Sequence, residues 1–269
     1  MFELINKNGV FLLKSTVLKS RHAFSTRIGG ISDLEHTRGM NLAFGRGDDD
    51  ATVLENLRIF ASAVGFDETK TISVPQIHSE IVKWVDSSNA GAGYYKNHTF
   101  SCDGYVTKER DLPIGVKTAD CVPILLEARD DVDNVIAISA IHAGWRGTAD
   151  KIAENGVKAL LLLGAKPENI YVAIGSCIDE CCYEVGKDFA EQIEIKLGQN
   201  YKNKFVVEKE NGKLFANLKQ MNLDILLSLG VPRENIDVAP YCTCCNTELF
   251  YSHRRQKGIR GAHLSVIVK

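Results

Sequence analysis

Two histidines and a cysteine stand out as side chains able to hold a soft metal ion or to share a proton: His78, Cys121 and His142. Catalytic zinc takes three protein ligands and keeps a fourth position open. Two imidazoles and one thiolate supply such a set. The same residues allow a second chemistry without metal, in which Cys121 is the nucleophile, His142 its base and Asp120 the orienting group. Copper is a third possibility, because two histidines and a cysteine are also the equatorial ligands of a blue-copper centre. An oxygen-reducing multicopper cluster needs many more imidazoles. This chain has seven, at His22, His36, His78, His98, His142, His253 and His263, which argues against that chemistry. Local context favours a site. His78 lies in a polar turn between Gln76 and Ser79. Cys121 follows Asp120, whose carboxylate is placed to orient a ligand. His142 precedes Ala143-Gly144-Trp145-Arg146-Gly147, where small residues allow close approach.

These residues need elements to position them. Two apolar runs, 122–126 and 135–141, read as buried strands, with Cys121 just before the first and His142 just after the second. Gly144 and Gly147 then break the strand pattern before a helical one, expected over 148–163 and capped by Gly164. Upstream, residues 2–16 form a hairpin about Asn8–Gly9. A strand follows at 22–26, a loop at 31–47, and a helix at 50–64 stopped by Gly65. Strands are expected at 71–75 and 80–85, around the His78 turn, and at 104–107 and 114–117, with a glycine-rich loop over 86–101. Downstream come a strand at 169–174, a helix at 184–197, a hairpin over 204–218 turning at Asn211–Gly212, a helix at 220–229 stopped by Gly230, and strands at 236–239 and 264–268. Residues 163–173 echo residues 229–239: a helix ends on glycine, turns, and feeds a strand that leads into cysteines. The echo reads either as reuse of one turn chemistry or as a duplicated αβ unit on two sides of a sheet. Hairpins mixed with βα units predict one α/β domain with a mixed sheet over 1–269 and no linker.

Composition narrows the function. A formal charge of −2 with scattered basic residues predicts no nucleic-acid partner and no anionic-membrane surface. The N-terminus lacks a basic start followed by a long apolar core, and no apolar run reaches the roughly 18 residues of a membrane span. A cytoplasmic protein is expected, and in a reducing compartment its eight cysteines should be free thiols. Cys181–Cys182 with Cys242, Cys244 and Cys245 suggest a four-cysteine zinc site. The C-C and C-x-C spacings are wrong for a C-x2-C knuckle, so free thiols are expected there too. Arg27, beside Gly29–Gly30, and Arg146, just past His142, suit anion recognition, since a guanidinium grips phosphate or carboxylate bidentately. Arg254–Arg255 reads as surface. Neither the dinucleotide glycine fingerprint nor a phosphate-binding P-loop is present. Phe44, Trp145 and Tyr183 are candidates for stacking on a flat heterocycle, although Trp145 is expected to pack beneath its loop.

The motifs form a set. Phe24-Ser25-Thr26-Arg27-Ile28-Gly29-Gly30, Asn41-Leu42, Pro75-Gln76-Ile77-His78-Ser79, Asp103-Gly104, Thr118-Ala119-Asp120-Cys121-Val122-Pro123-Ile124, His142-Ala143-Gly144-Trp145-Arg146-Gly147, Ile174-Gly175-Ser176-Cys177-Ile178, Cys182-Tyr183-Glu184-Val185 and Ser252-His253-Arg254-Arg255 occur in one order. Together they resemble the multicopper polyphenol oxidase/laccase-domain family, also called the YfiH family, over nearly the whole chain. The resemblance implies an α/β/β/α sandwich related to toxin-type cysteine hydrolase folds. It implies a zinc site at His78, Cys121 and His142, with copper the poorer fit. The implied activity is phosphorolysis of adenosine, inosine, guanosine and methylthioadenosine, with deamination of adenosine. Some bacterial relatives imply instead a Cys–His amide hydrolase in peptidoglycan precursor editing. A non-catalytic metal-binding module is a third possibility. The expected partners are small molecules, a purine nucleoside and phosphate. Arg27, Asn41, Gln76 and Arg146 are the candidate substrate or phosphate contacts, and Asp120 the candidate for proton transfer. One departure stands out: relatives usually carry Gly-Arg before the last strand, where this chain has Arg260-Gly261-Ala262-His263. An arginine contact at that end is therefore open.

Overall fold

Asn8 and Gly9 both take positive φ, 53° and 88°, as a tight primed turn requires. They join β1 (Phe2–Lys7) to β2 (Val10–Ser15) in antiparallel register. These are coordinates from a computed structural model, which describes residues 1–210 and 212–269. After β3 (Arg21–Ser25), α1 (Asp50–Val64) starts where the Asp49 carboxylate accepts from Thr52 N–H and stops at left-handed Gly65. Five strands follow: β4 (Val82–Trp84), β5 (Gly104–Thr107), β6 (Ile114–Thr118), β7 (Val122–Arg129) and β8 (Val135–Ala143). Then come α2 (Trp145–Ala149), α3 (Ile152–Leu161), β9 (Ile170–Ile174), β10 (Glu184–Val185), α4 (Lys187–Leu197) and α5 (Gln199–Phe205). The chain closes with β11 (Val206–Glu208), β12 (Leu214–Ala216), α6 (Leu218–Ser228), β13 (Ile236–Val238) and β14 (His263–Val268).

Among the described residues, two large sheets stack face to face. One is antiparallel, in the order β1-β2-β3-β14-β6; the other is mixed, in the order β13-β9-β7-β8-β5-β4. Strand alternation sorts the side chains into three apolar layers. Leu13, Phe24, Ile114 and Val116 meet Leu125, Ile138 and Ala140 between the sheets. Leu12, Ala23, Leu264 and Val266 face Val53, Leu57 and Phe60 of α1. Ile124, Leu126, Ile141 and Val172 face Val157 and Leu160 of α3 and Met221 and Ile225 of α6. The order of layers is thus helix, sheet, sheet, helix, as expected. β7 is central and buried along its whole length, which is why its first five residues read as an apolar run rather than an alternation.

Several boundaries differ from the sequence pattern. Residues 71–75 are extended but contribute only a bridge between Ile72 and Ile114, and Pro75 ends the run. The helix expected over 148–163 is two helices, parted at Asp150 and at Lys151, whose φ is +61°. Ala149, Ile152 and Ala153 all face the same core, so apolar periodicity runs straight through the break. Glu184 and Val185 pair with Phe215 and Leu214, and helix α4 begins only after Gly186. Helix α5 was not expected. The hairpin of 204–218 is present as β11 and β12, while Asn211 of its expected turn lies outside the described residues. The echoed segments are neighbours. β9 and β13 pair in parallel, and α3 and α6 lie on the same side of the sheet, not on opposite sides.

Candidate metal centre

Pairing of β7 with β8 sets Val122 opposite Ala143 and Pro123 opposite His142, so Cys121 and His142 arrive at one sheet end. His142 lies inside β8, one residue before its end, rather than beyond it. The third member comes from the turn before β4, where His78 takes a φ of +59°. One ligand atom from each of His78, Cys121 and His142 can be chosen so that all lie within 4.8 Å of one another. The rings of the two histidines meet edge to face, with centroids 4.9 Å apart. Gly144 makes this convergence possible. A Cβ there would lie 2.9 Å from His78 Cδ2, 3.4 Å from Cys121 Sγ and 3.6 Å from His142 Cε1. The close approach expected of the small residues after His142 is therefore a contact with all three side chains.

Asp103, just before β5, organises the site. His142 Nδ1 donates to its Oδ1 at 2.8 Å, and the backbone N–H groups of Ile77, His78 and Ser79 donate to the same carboxylate at 3.2, 3.0 and 2.7 Å. With Nδ1 engaged, Nε2 of His142 is the nitrogen left for a metal or for the thiol. Asp103 is buried, which opposes its ionisation, yet His142 and Ser79 hold its carboxyl down at about 2. Burial likewise opposes a thiolate at Cys121, but the charge and hydrogen bonds of His142 and His78 outweigh it and lower the thiol to about 6. Against its own burial, His142 is raised to about 9 by the Cys121 thiolate and Asp103. The two shifts act in one direction, toward a thiolate at Cys121 beside a protonated His142. The same pair, once the imidazole gives up its proton, is a donor set that soft divalent metals take. Two imidazoles, one thiolate and a carboxylate that fixes one imidazole fit a metal site with an open position.

His78 and Cys121 line both of two cavities of about 480 and 470 Å³, His142 lines the first, and Arg46 and Arg260 line both. The first continues past Phe44, Gln76, His98 and Lys117. The second continues past Asp120, Trp145, Arg146, Tyr183 and Arg254. Burial, helped by the charge of Arg46, lowers Lys117 to about 8 and Arg260 to about 10. Arg260 Nε is buried without a hydrogen-bond partner. These cations facing open volume form an anion-attracting wall.

The other residues singled out by sequence fall on both sides of this boundary. Gln76 lines the first cavity, its amide bonded to both backbone groups of Lys117. Arg146 lines the second, exposed, with its guanidinium over the Trp145 ring at 4.3 Å. Trp145 packs on Phe189, as expected, yet also lines that cavity. Arg27 does not reach the centre. Its guanidinium donates to the carbonyls of Arg38 and Thr247 and lies over Tyr251, lining a separate surface depression. Asn41 is fully buried, its amide bonded to Asp48, Ala43 and Ala262, and it joins these loops. Asp120 takes a φ of +90°, and its carboxylate accepts from Thr243 Oγ1, Ser252 Oγ and Arg254 N–H. The carboxylate hydrogen-bonded to a histidine of the cluster is that of Asp103, while Asp120 is bonded to Thr243, Ser252 and Arg254. Sequence reading passed over Arg46 and Lys117 and left an arginine at the Arg260 end open; for Lys117 a lone lysine in the buried strand β6 was the available signal.

A family model described as multi-copper polyphenol oxidoreductase laccase matches residues 21–269. A protein from Deinococcus radiodurans named purine nucleoside phosphorylase is 34% identical over 260 residues, 96% of this chain and 93% of its own. A protein from an unknown prokaryotic organism named adenosine deaminase RL5 is 33% identical over 235 residues, 87% of this chain and 88% of its own. The crystal structure of YlmD from Geobacillus stearothermophilus superposes with a TM-score of 0.86 at 28% identity, covering 99% of this chain and 98% of that one. The Bacillus licheniformis protein YfiH superposes with a TM-score of 0.89 at 27% identity and the same coverage. With its helix–sheet–sheet–helix order and its His–Cys–His cluster, the chain belongs to the laccase-like family that the model describes.

Proposed function

We propose that this protein is a zinc-dependent purine nucleoside phosphorylase, acting on adenosine, inosine, guanosine and methylthioadenosine, with adenosine deaminase activity. One observation carries the reading: three side chains able to hold a metal converge on the first cavity, two of them also line the second, and two arginines line both. The names of the relatives support it. His78, Cys121 and His142 hold the metal. When bound, zinc supplies Lewis acidity, which brings the ionisation of water toward neutral pH. In phosphorolysis a phosphate oxygen must lie beside ribose C1′ as the bond to the base breaks. Arg46 and Arg260 hold that anion, with Lys117 adding charge from the first cavity. Phe44 or the Trp145–Tyr183 side offers a face for the purine. Asp120 is a positioning residue, tying the loops that carry Thr243 and Arg254 to Cys121. Arg146 contributes at the rim of the second cavity.

A panel of nucleosides incubated with the zinc-loaded protein, with and without phosphate, tests this directly. Phosphate-dependent release of free base, and inosine formed from adenosine, are the expected products. A panel without turnover would leave the metal-binding module as the better description.

One observation favours a second reading. Cys121, His142 and Asp103 stand in the order nucleophile, base and orienter, with the thiol held near 6. An amide hydrolase acting on peptidoglycan precursors, on a fold related to toxin-type cysteine hydrolases, would use this triad without metal. It would keep its activity after metal removal and carry a covalent adduct on Cys121.

A further inference from the structure

The echoed αβ units end in cysteines, and the fold brings those cysteines together. β9 and β13 run parallel and in register, and the pairing continues past their ends through a bridge between Cys177 and Cys242. Thr243 N–H donates to the Cys177 carbonyl at 2.9 Å. Beyond that bridge, the loop after β9 carries Cys181 and Cys182, and the loop after β13 carries Cys242 and Cys245. All four sulfurs lie within 4.8 Å of one another. Cys245 Sγ is 3.2 Å from Cys182 Sγ and 3.4 Å from Cys181 Sγ. No disulfide joins them.

We propose that Cys181, Cys182, Cys242 and Cys245 form a second, structural zinc site that ties the loop after β9 to the loop after β13. Zinc–thiolate bonds of about 2.3 Å in a tetrahedron place the sulfurs about 3.8 Å apart, inside the spread seen here. The sequence holds a signal that the neighbouring C-C and C-x-C spacings conceal: Cys242 and Cys245 are themselves a C-x2-C pair. The backbone supplies a supporting feature, since Asp179 N–H points at Cys242 Sγ at 3.4 Å, the kind of outer contact that steadies a thiolate ligand. Lys219, almost wholly buried, pairs with Asp179 at 2.8 Å and brings a positive charge toward a centre that carries net negative charge when filled. Zinc entry replaces thiol protons, which pass to solvent, and nothing is oxidised or reduced. Four thiolates close the coordination sphere, so the site has no open position for catalysis. Its role is mechanical. Cys182 precedes Tyr183, which lines the second cavity, and Cys242 precedes Thr243, which holds the Asp120 carboxylate. The site thereby fixes one side of the active-site cavity from outside it.

The test counts metal on the full-length protein purified under reductant. Elemental analysis should give two zinc ions per chain in the natural protein. One should remain in Cys121→Ala, one in Cys245→Ser, and two in Cys244→Ser, whose thiol is outside the set. Cys245 is exposed, so its serine variant leaves the core untouched. A second readout keeps the cysteine cluster intact: the Cys121→Ala protein loaded with cobalt(II) should show strong thiolate-to-cobalt charge-transfer absorption. One zinc per chain in the natural protein and none in Cys121→Ala would overturn the proposal. So would a cobalt spectrum without thiolate bands, or a Cys182–Cys245 disulfide that persists under reductant.

Discussion

Asp103 Oδ1 accepts from His142 Nδ1 at 2.8 Å and from the backbone N–H of His78 at 3.0 Å, so one carboxylate oxygen sets both histidines of the centre. Replacing Asp103 by asparagine removes the charge that holds this arrangement. Outer-shell partners of ligating histidines are typically worth 10–100-fold in metal affinity. Asp103→Asn should therefore weaken zinc binding by about that factor, measured by competition with a chromophoric chelator. Affinity equal to that of the natural protein would mean that the Asp103 contact does not orient a ligand.

A methyl group at Gly144 would meet the side chains of His78, Cys121 and His142 at once, so a single added carbon should disturb them together. Its φ of −69° is open to any residue, and the strain in Gly144→Ala is therefore steric and local. The nearest atom, His78 Cδ2 at 2.9 Å, belongs to an exposed side chain that can yield. The variant should fold, with an unchanged far-ultraviolet circular dichroism spectrum, and lose most of its metal at this centre. Full retention of metal would show that the ligands do not converge as tightly as described.

Arg260 has a buried Nε without a partner and lines both cavities. Hydrogen bonds to charged groups contribute about 1.5–3 kcal/mol. Arg260→Gln should raise the KM for phosphate roughly 10–100-fold and leave the zinc content unchanged. A change in nucleoside KM alone would move the phosphate elsewhere, with Arg146 as the next candidate.

His263 makes a prediction about stability. Its Nε2 accepts from Tyr251 N–H at 2.9 Å, its Nδ1 is buried without a partner, and burial lowers its pKa from 6.5 to about 3. Between these values the unfolded chain binds more protons than the folded one. The stability contributed by neutral His263 is complete above about 6.5 and is lost as pH falls toward about 3. At pH 5 the loss is about 2 kcal/mol. Urea unfolding at pH 7.5 and pH 5 should show a smaller drop for His263→Gln than for the natural protein. Equal drops would remove His263 from the account of acid sensitivity.

How much of this was legible beforehand depends on the range of the interaction involved. The Asn8–Gly9 hairpin and the helix over 50–64 rest on contacts between near neighbours, and the local pattern located both. The cluster of His78, Cys121 and His142 was legible because each sits near the place where an apolar run meets a turn. Arg27 and Asn41 lie apart from the cluster, and their surroundings in sequence suit two outcomes. A guanidinium beside glycines binds a carbonyl as readily as a phosphate, and a buried amide can join loops as well as meet a ligand. Asp103 was missed because its partners His78 and His142 lie far along the chain and meet it only when β5 pairs with β8. The convergence of cysteines needs the parallel pairing of β9 with β13, which no spacing reveals.

The proposed function places phosphorolysis at the His78–Cys121–His142 centre. The most direct measurement is hypoxanthine release from inosine by zinc-loaded protein as phosphate is varied, run beside Cys121→Ser with zinc content determined on the same samples. The account predicts saturable, phosphate-dependent release in the natural protein, and loss of that release together with the zinc of this centre in the variant. Release that survives in Cys121→Ser, or its absence from the fully loaded natural protein, would contradict it.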